Sequence, residues 1–171
     1  KMSLAAEEED YRCRVAGAIL FHAEGPENVA FTLNCTHAIN IVLKGLLKPG
    51  DHVVVSCLEH NAVMRPLEAL RQQGVSYTQA QVVPGDSDAT PVILPIDVQD
   101  SRIDYLCAAG HMGLYGPMGT GLLITPNGDK LSTIIEGGTG TSSISLIQPG
   151  TMPDRMESGT PNMPAIAGLR A

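Results

Sequence analysis

The run Asn34-Cys35-Thr36-His37-Ala38-Ile39-Asn40-Ile41-Val42-Leu43-Lys44-Gly45-Leu46-Leu47-Lys48-Pro49-Gly50-Asp51-His52-Val53-Val54-Val55 decides the fold. Residues 37–47 have helical period, with Ile39, Val42, Leu43 and Leu46 on one face. Pro49-Gly50 ends that helix, because proline has no amide to donate and glycine accepts the turn. Val53-Val54-Val55 then reads as a buried strand of β-branched residues. Working outward, residues 28–32 read as a preceding strand. Residues 62–73 read as a following helix despite Pro66, with Gly74 as its C-cap, and residues 77–83 as a third strand. This β-α-β-α-β order predicts an α/β domain, with a mostly parallel sheet whose strands are joined by helical crossovers.

The second half departs from that alternation. Residues 92–98, 104–108 and 121–125 read as strands set too close for crossover helices, so at least one antiparallel strand is expected. From residue 126 to 171 the chain is rich in Gly, Ser, Thr and Pro, and residues 139–160 read as a long loop. Loops of that length are commonly functional. Residues 1–171 are read as a single α/β domain with a loop-rich end.

Eighteen acidic residues against eleven Lys and Arg give a formal net charge of −7, which argues against a nucleic-acid surface. Hydrophobic residues make up 43%, a globular composition, and no apolar run approaches a membrane span. Val15–Phe21 after Arg12 and Arg14 imitates a short signal sequence, but the acidic run Glu7–Asp10 upstream favours an ordinary helix. Cys13, Cys35, Cys57 and Cys107 contain no Cys-x-x-Cys pair. Zinc or any other metal site and a disulfide framework are therefore not expected, and free thiols in a reducing, cytoplasmic setting fit best.

Several short stretches carry chemistry. Asn34–Asn40 places a strand end before a helix start, where free amides and the Thr36 hydroxyl can cradle phosphate; Thr36 as a plain N-cap is the competing reading. Glu59-His60-Asn61-Ala62 puts His60 at a strand end, a position where histidines also serve simply as caps. Asp86 stands in Pro84-Gly85-Asp86-Ser87-Asp88, where a loop carboxylate is the plainer alternative. Gly137–Ser143 is glycine-rich but lacks the Gly-Lys-Ser/Thr ending of a nucleotide loop. Glu157-Ser158-Gly159-Thr160-Pro161-Asn162 reads either as a turn before a helix or as a contact segment.

These stretches, in this order, resemble the class V aminotransferase and cysteine desulfurase family. Ala109-Gly110-His111-Met112-Gly113-Leu114-Tyr115-Gly116-Pro117 is similar to that family's cofactor-lysine loop, which reads Ser/Ala-Gly-His-Lys followed by Tyr-Gly-Pro. Family members hold pyridoxal 5′-phosphate on the lysine, whose place Met112 takes here. The resemblance implies the large domain of the aspartate-aminotransferase-type fold, present in part. It implies that Cys35 and Thr36 contact the cofactor phosphate, that His60 stacks on its ring, and that Asp86 pairs with the ring nitrogen. It places His111 beside the lysine position and makes Thr160 a phosphate contact to the neighbouring subunit of a homodimer. Pro49-Gly50-Asp51, Leu94–Val98 and Ile103–Leu106 match further family segments.

An amino-acid substrate follows from the resemblance, with cysteine converted to alanine and its sulfur transferred. The alternative is a catalytically inactive remnant that dimerises or binds a partner. Family members are about twice as long, and the matches run from Val29 onward with one interruption near Asp86–Thr90, where β-α units have no counterpart. The arginine for the substrate carboxylate and the sulfur-accepting cysteine belong to an absent segment. Met112 has no amine, and nothing in the sequence around Lys44 or Lys130 nominates either as its substitute.

Overall fold

In the computed structural model, residues 4–81, 95–141 and 144–171 are described. Four helices and five strands are described: α1 (Leu4–Phe21), β1 (Val29–Thr32), α2 (Cys35–Leu46), β2 (His52–Ser56), α3 (Asn61–Arg71), β3 (Ser76–Ala80), β4 (Leu106–Ala109), β5 (Gly121–Ile124) and α4 (Met163–Arg170). The class is α/β with helical crossovers, as expected. The described strands divide between two sheets, β1-β5-β4 and β2-β3. Strand β5 is the expected antiparallel member. It pairs with β1 from Val29–Ile124 to Thr32–Gly121 and with β4 from Leu106–Ile124 to Ala109–Gly121. Strands β2 and β3 pair in parallel through the α3 crossover.

The three-stranded sheet is buried on both faces, and its period-2 alternation separates two cores. Val29, Phe31, Leu122 and Ile124 pack with Cys13, Ala18 and Phe21 of α1 and Ile166 of α4. Ala30 and Leu123 face the other way, onto Ala38 and Ile41 of α2, Leu131 and Met156. Each of the large aliphatic side chains contributes about 1.5–3 kcal/mol by leaving water.

A buried charged group joins the two chain halves. Arg14, only 7% exposed, donates to Asp10 Oδ2 at 2.8 Å, the Val29 carbonyl at 2.7 Å, and Glu157 Oε1 and Oε2 at 2.6 and 2.8 Å. The Phe31 amide donates to Glu157 Oε1 at 2.6 Å, and the guanidinium lies 4.4 Å from the Phe31 ring centroid. Burial opposes the charge on Arg14, but its bonds to Glu157 and Asp10 outweigh that and raise its pKa. Burial pushes the Glu157 carboxyl up, and the Arg14 fork and Phe31 amide pull it back.

Three expectations change. The buried face of α2 is Ala38, Ile41 and Gly45, not Ile39, Val42, Leu43 and Leu46; Leu46 is 38% exposed. Small residues win that face because the 131–132 segment lies against the helix. A Cβ on Gly45 would fall 2.6 Å from the Ser132 carbonyl oxygen, and Ser132 donates its amide to the Gly45 carbonyl at 2.9 Å. The Val53–Val55 run is not fully buried, since Val54 is 67% exposed. Among the described residues β2 pairs only with β3, and nothing closes over Val54. Residues 95–98 form no strand, and Val98 instead donates its amide to the Phe21 carbonyl at 3.0 Å. Residues 82–94, including the rest of that expected strand, lie outside the described residues.

Helix α3 and its end match the reading with small shifts. Helix α3 carries Pro66, and Gly74, at φ 97°, makes the left-handed turn after it while Val75 donates to the Leu70 carbonyl. Cys13, Cys35 and Cys107 carry free thiols. From 139 to 160 the described residues contain neither helix nor strand. No described helix is long and apolar enough to cross a membrane, and no described group of His, Cys, Asp and Glu could hold a metal ion.

Candidate active site

The start of α2 is capped by Asn34, whose side-chain oxygen accepts the His37 amide at 2.9 Å. Thr36 is therefore not the N-cap; it is an exposed residue of the first turn. The Cys35 and Thr36 amides have no intrahelical acceptor, as for any helix start. The helix start is fixed against the three-stranded sheet. Cys35 Sγ donates to the Cys107 carbonyl of β4 at 3.5 Å, and a Cβ on Gly121 would fall 2.6 Å from the Asn34 carbonyl carbon. Only glycine lets β5 begin so close to α2.

Strand β4 leads into the loop with His111 and Met112. The Gly110 amide donates to the Thr120 carbonyl at 2.9 Å, and Gly116 closes back onto the Gly110 carbonyl at 2.7 Å. A Cβ on Gly110 would meet Thr120 Oγ1, so the Ala-Gly-His turn needs glycine there. Inside this closed loop His111 is exposed, Met112 is 68% exposed and Tyr115, at φ 55°, is 84% exposed.

His60 caps α3, its Nδ1 accepting the Ala62 amide at 3.0 Å. The neutral ring must then carry its proton on Nε2, which leaves that N–H free to donate. Thr36 and His60 line one hollow between α2 and α3, together with Asn40, Lys44, Asn61 and Arg65.

Thr160 lines a different hollow with Phe31, His37, Thr120, Arg155 and Met156. It follows Gly159, whose amide donates to the Gly138 carbonyl at 2.8 Å, so the Gly-rich segment and the Gly159-Thr160-Pro161 turn are joined. His37, in the first turn of α2, lines the same hollow. Burial holds its pKa below the ordinary histidine value, so the ring is neutral at neutral pH. Cys35, His111 and Met112 line neither of these two hollows. Asp86 lies outside the described residues.

The thiols are quiet. Burial, with Cys35 nearby, pushes Cys107 up to about 12, and burial together with Asp10 pushes Cys13 up to about 11. Burial also raises Cys35. Thiolate is the sulfur nucleophile, so none of these three is set up to accept sulfur near neutral pH.

Asn40, Lys44 and Arg65 were not singled out in the sequence as site residues. The signal was present for two of them. Thr36, Asn40 and Lys44 are spaced by four and so share one face of α2.

This arrangement, a helix start and a helix-capping histidine in a chain whose sheet has one antiparallel strand, belongs to a known class of fold. The cysteine desulfurase CsdA (S-sulfonic acid form) from Escherichia coli superposes with a TM-score of 0.82 at 23% identity, over 99% of this chain and 58% of that one. The apo cysteine desulfurase from Thermococcus onnurineus NA1 gives 0.82 at 22% identity, over 99% and 56%. The sequence pattern of the family described as Aminotransferase class-V matches residues 2–90 and 79–171, and the chain belongs to that family.

Among curated relatives, cysteine desulfurase CsdA of Escherichia coli (strain K12) is 26% identical over 227 positions, covering 98% of this chain and 56% of the relative. "Putative cysteine desulfurase IscS 1" of Bacillus subtilis (strain 168) is 24% identical over 216 positions, covering 95% and 53%. The chain thus spans about half the length of these relatives. An alignment of 227 positions against 171 residues also leaves more than fifty positions with no counterpart here. The two family matches overlap at 79–90, so the pattern breaks and resumes there, in the region of the interruption read from the sequence.

Proposed function

We propose that this chain forms the cofactor-facing part of a pyridoxal-phosphate enzyme of the cysteine desulfurase type, acting on an amino acid, with cysteine to alanine plus transferred sulfur as the parent reaction. The observation that carries the reading is that Thr36 and His60, from separate β-α junctions, line one hollow. Relatives with the same fold and family pattern are cysteine desulfurases, and one solved neighbour with a TM-score of 0.77 is a C-DES variant with glycine covalently linked to its PLP cofactor.

The residues present fit non-covalent binding of the cofactor. The Thr36 hydroxyl and the free amides of α2 suit a dianionic phosphate, and the dipole of the helix favours it by a few tenths to about 1 kcal/mol. His60, anchored through Nδ1, has a face for the pyridine ring and an Nε2 proton to give. Cys35 flanks the phosphate position, and Asp86 is the candidate partner of the ring nitrogen. When bound, pyridoxal phosphate supplies an electron sink for the substrate carbon. His111 lies beside the position that Met112 holds, and a thioether offers no amine there. Thr160, in a separate hollow of this chain, suits a contact made to a second copy in a homodimer. A cytoplasmic setting follows from the same reading.

The second reading is a non-catalytic module that dimerises or binds a partner. Met112, together with the exposed apolar residues Ile144, Leu146 and Ile147, favours it. Restoring the amine separates the two. Met112→Lys is expected to turn yellow with pyridoxal phosphate and, after borohydride, to carry the pyridoxyl mass on residue 112. A reduced variant with no added mass at that residue would show that the site is not assembled, and the module reading would stand.

A further inference from the structure

The hollow between α2 and α3 holds more positive charge than a phosphate cradle at the helix start needs. Among the described residues its ionisable lining is Lys44, His60 and Arg65, with no Asp or Glu. That is against the trend of a chain with 18 acidic residues and 11 Lys and Arg. Arg12 pairs with Glu8, Arg71 with Glu68 and Arg170 with Glu9, whereas Arg65, like Arg102 and Arg155, has no carboxylate partner among the described residues. Among the described residues neither Lys44 nor Arg65 has an ion-pair partner. Two like charges brought to one groove without a counter-charge repel each other, and an anion between them reverses the sign of the interaction.

The positions also set a length. Thr36, Asn40 and Lys44 lie on one face of α2, and eight residues of helix rise about 12 Å. The groove therefore runs from the helix starts, with Thr36 and His60, to Lys44 two turns along α2, and Arg65 lines it from α3. Asn40 is neutral and its amide already donates to the Thr36 carbonyl at 2.9 Å, so the charged side chains lining the groove beyond the helix starts are Lys44 of α2 and Arg65 of α3. Arginine offers a planar fork to an oxyanion and lysine a mobile point charge, a combination that accepts either phosphate or carboxylate.

We propose that Lys44 and Arg65 form an oxyanion-binding subsite in the α2–α3 groove, taking the phosphate or carboxylate of a small ligand. The proposal goes beyond the cofactor reading and does not need it, because the charges act on any small oxyanion that enters the groove.

Calorimetric titration with inorganic phosphate, L-cysteine, pyridoxal phosphate and pyridoxal tests this. Lys44→Ala and Arg65→Ala are expected to weaken inorganic phosphate and L-cysteine about tenfold or more each, with the loss falling away at high salt. Lys130→Ala, outside the hollow, is expected to leave both unchanged. Both target side chains are exposed, and an unchanged thermal melt will confirm that the variants fold. Phosphate sensitive to the two substitutions with cysteine insensitive assigns the subsite to phosphate groups; the opposite pattern assigns it to carboxylates. Phosphate binding that depends on Lys44 and Arg65 while pyridoxal phosphate fails to outbind pyridoxal leaves this subsite standing and removes the cofactor reading. Binding of every probe indifferent to both substitutions, or no binding of any probe, overturns the proposal.

Discussion

Arg14 and Glu157 are 143 residues apart in the chain and meet at 2.6 Å in a site that is almost dry. Taking both charges out of water is costly, so the pair is held together by geometry, with a carboxylate accepting two guanidinium bonds and a backbone amide. Removing one partner strands the other. Glu157→Leu or Arg14→Met alone is expected to destabilise the fold by about 3–5 kcal/mol, and the double variant, which still leaves Asp10 without Arg14, to lose less than the sum of the two. Urea unfolding of the four proteins measures it; an additive double variant would show that the two groups are not coupled. Neither residue's part in this pair was legible in the sequence. Glu157 was read only as the first residue of a family motif, and Arg14 only as a flank of a short apolar run. Ion pairs across such separations are set by tertiary packing, and local pattern carries no trace of them.

At the scale of elements, periodicity found the helices but misplaced one face. The apolar count in α2 favours Ile39, Val42, Leu43 and Leu46, yet the buried residues are Ala38, Ile41 and Gly45, and the segment at 131–132 packs against Gly45. Hydrophobicity marks what prefers burial, whereas close backbone approach selects for what is small, and the second effect wins here. Gly45→Ala is a direct check. Helix propensity alone would make it stabilising by about 1 kcal/mol. Its Cβ would sit 2.6 Å from a backbone oxygen that cannot swing aside, so a net loss of about 1–3 kcal/mol is expected instead. A urea midpoint higher than that of the parent would refute the packing account. The strands show a similar limit. Val53–Val55 has the composition of a strand covered on both sides, but cover depends on which neighbours are present, and β2 has one among the described residues.

Across the whole molecule, the family and the fold class were readable because they rest on ordered motifs and on the alternation of strand and helix. The grouping of the site was readable only in part. Thr36 and His60 line one hollow because both stand at the starts of helices, α2 and α3, that pack against each other. Thr160 and His37 share another hollow because the 155–162 segment crosses the ends of β1 and α2, which no spacing rule foretells. Lys44 was set aside when read in sequence, and the structure places it two turns along the same face as Thr36.

Strand β5 has a consequence for how the chain can be divided. It hydrogen-bonds to β1 on one side and β4 on the other, while α1 and α4 pack in one core and Arg14 grips Glu157. Every one of these links except the β4 pairing joins residues before 81 to residues after 95. Polypeptides 1–81 and 95–171 expressed separately should therefore re-form one particle by strand docking, co-eluting in gel filtration as a one-to-one complementing pair. Fragments that stay apart would mean that continuity through 82–94, rather than the seam at β5, keeps the halves together.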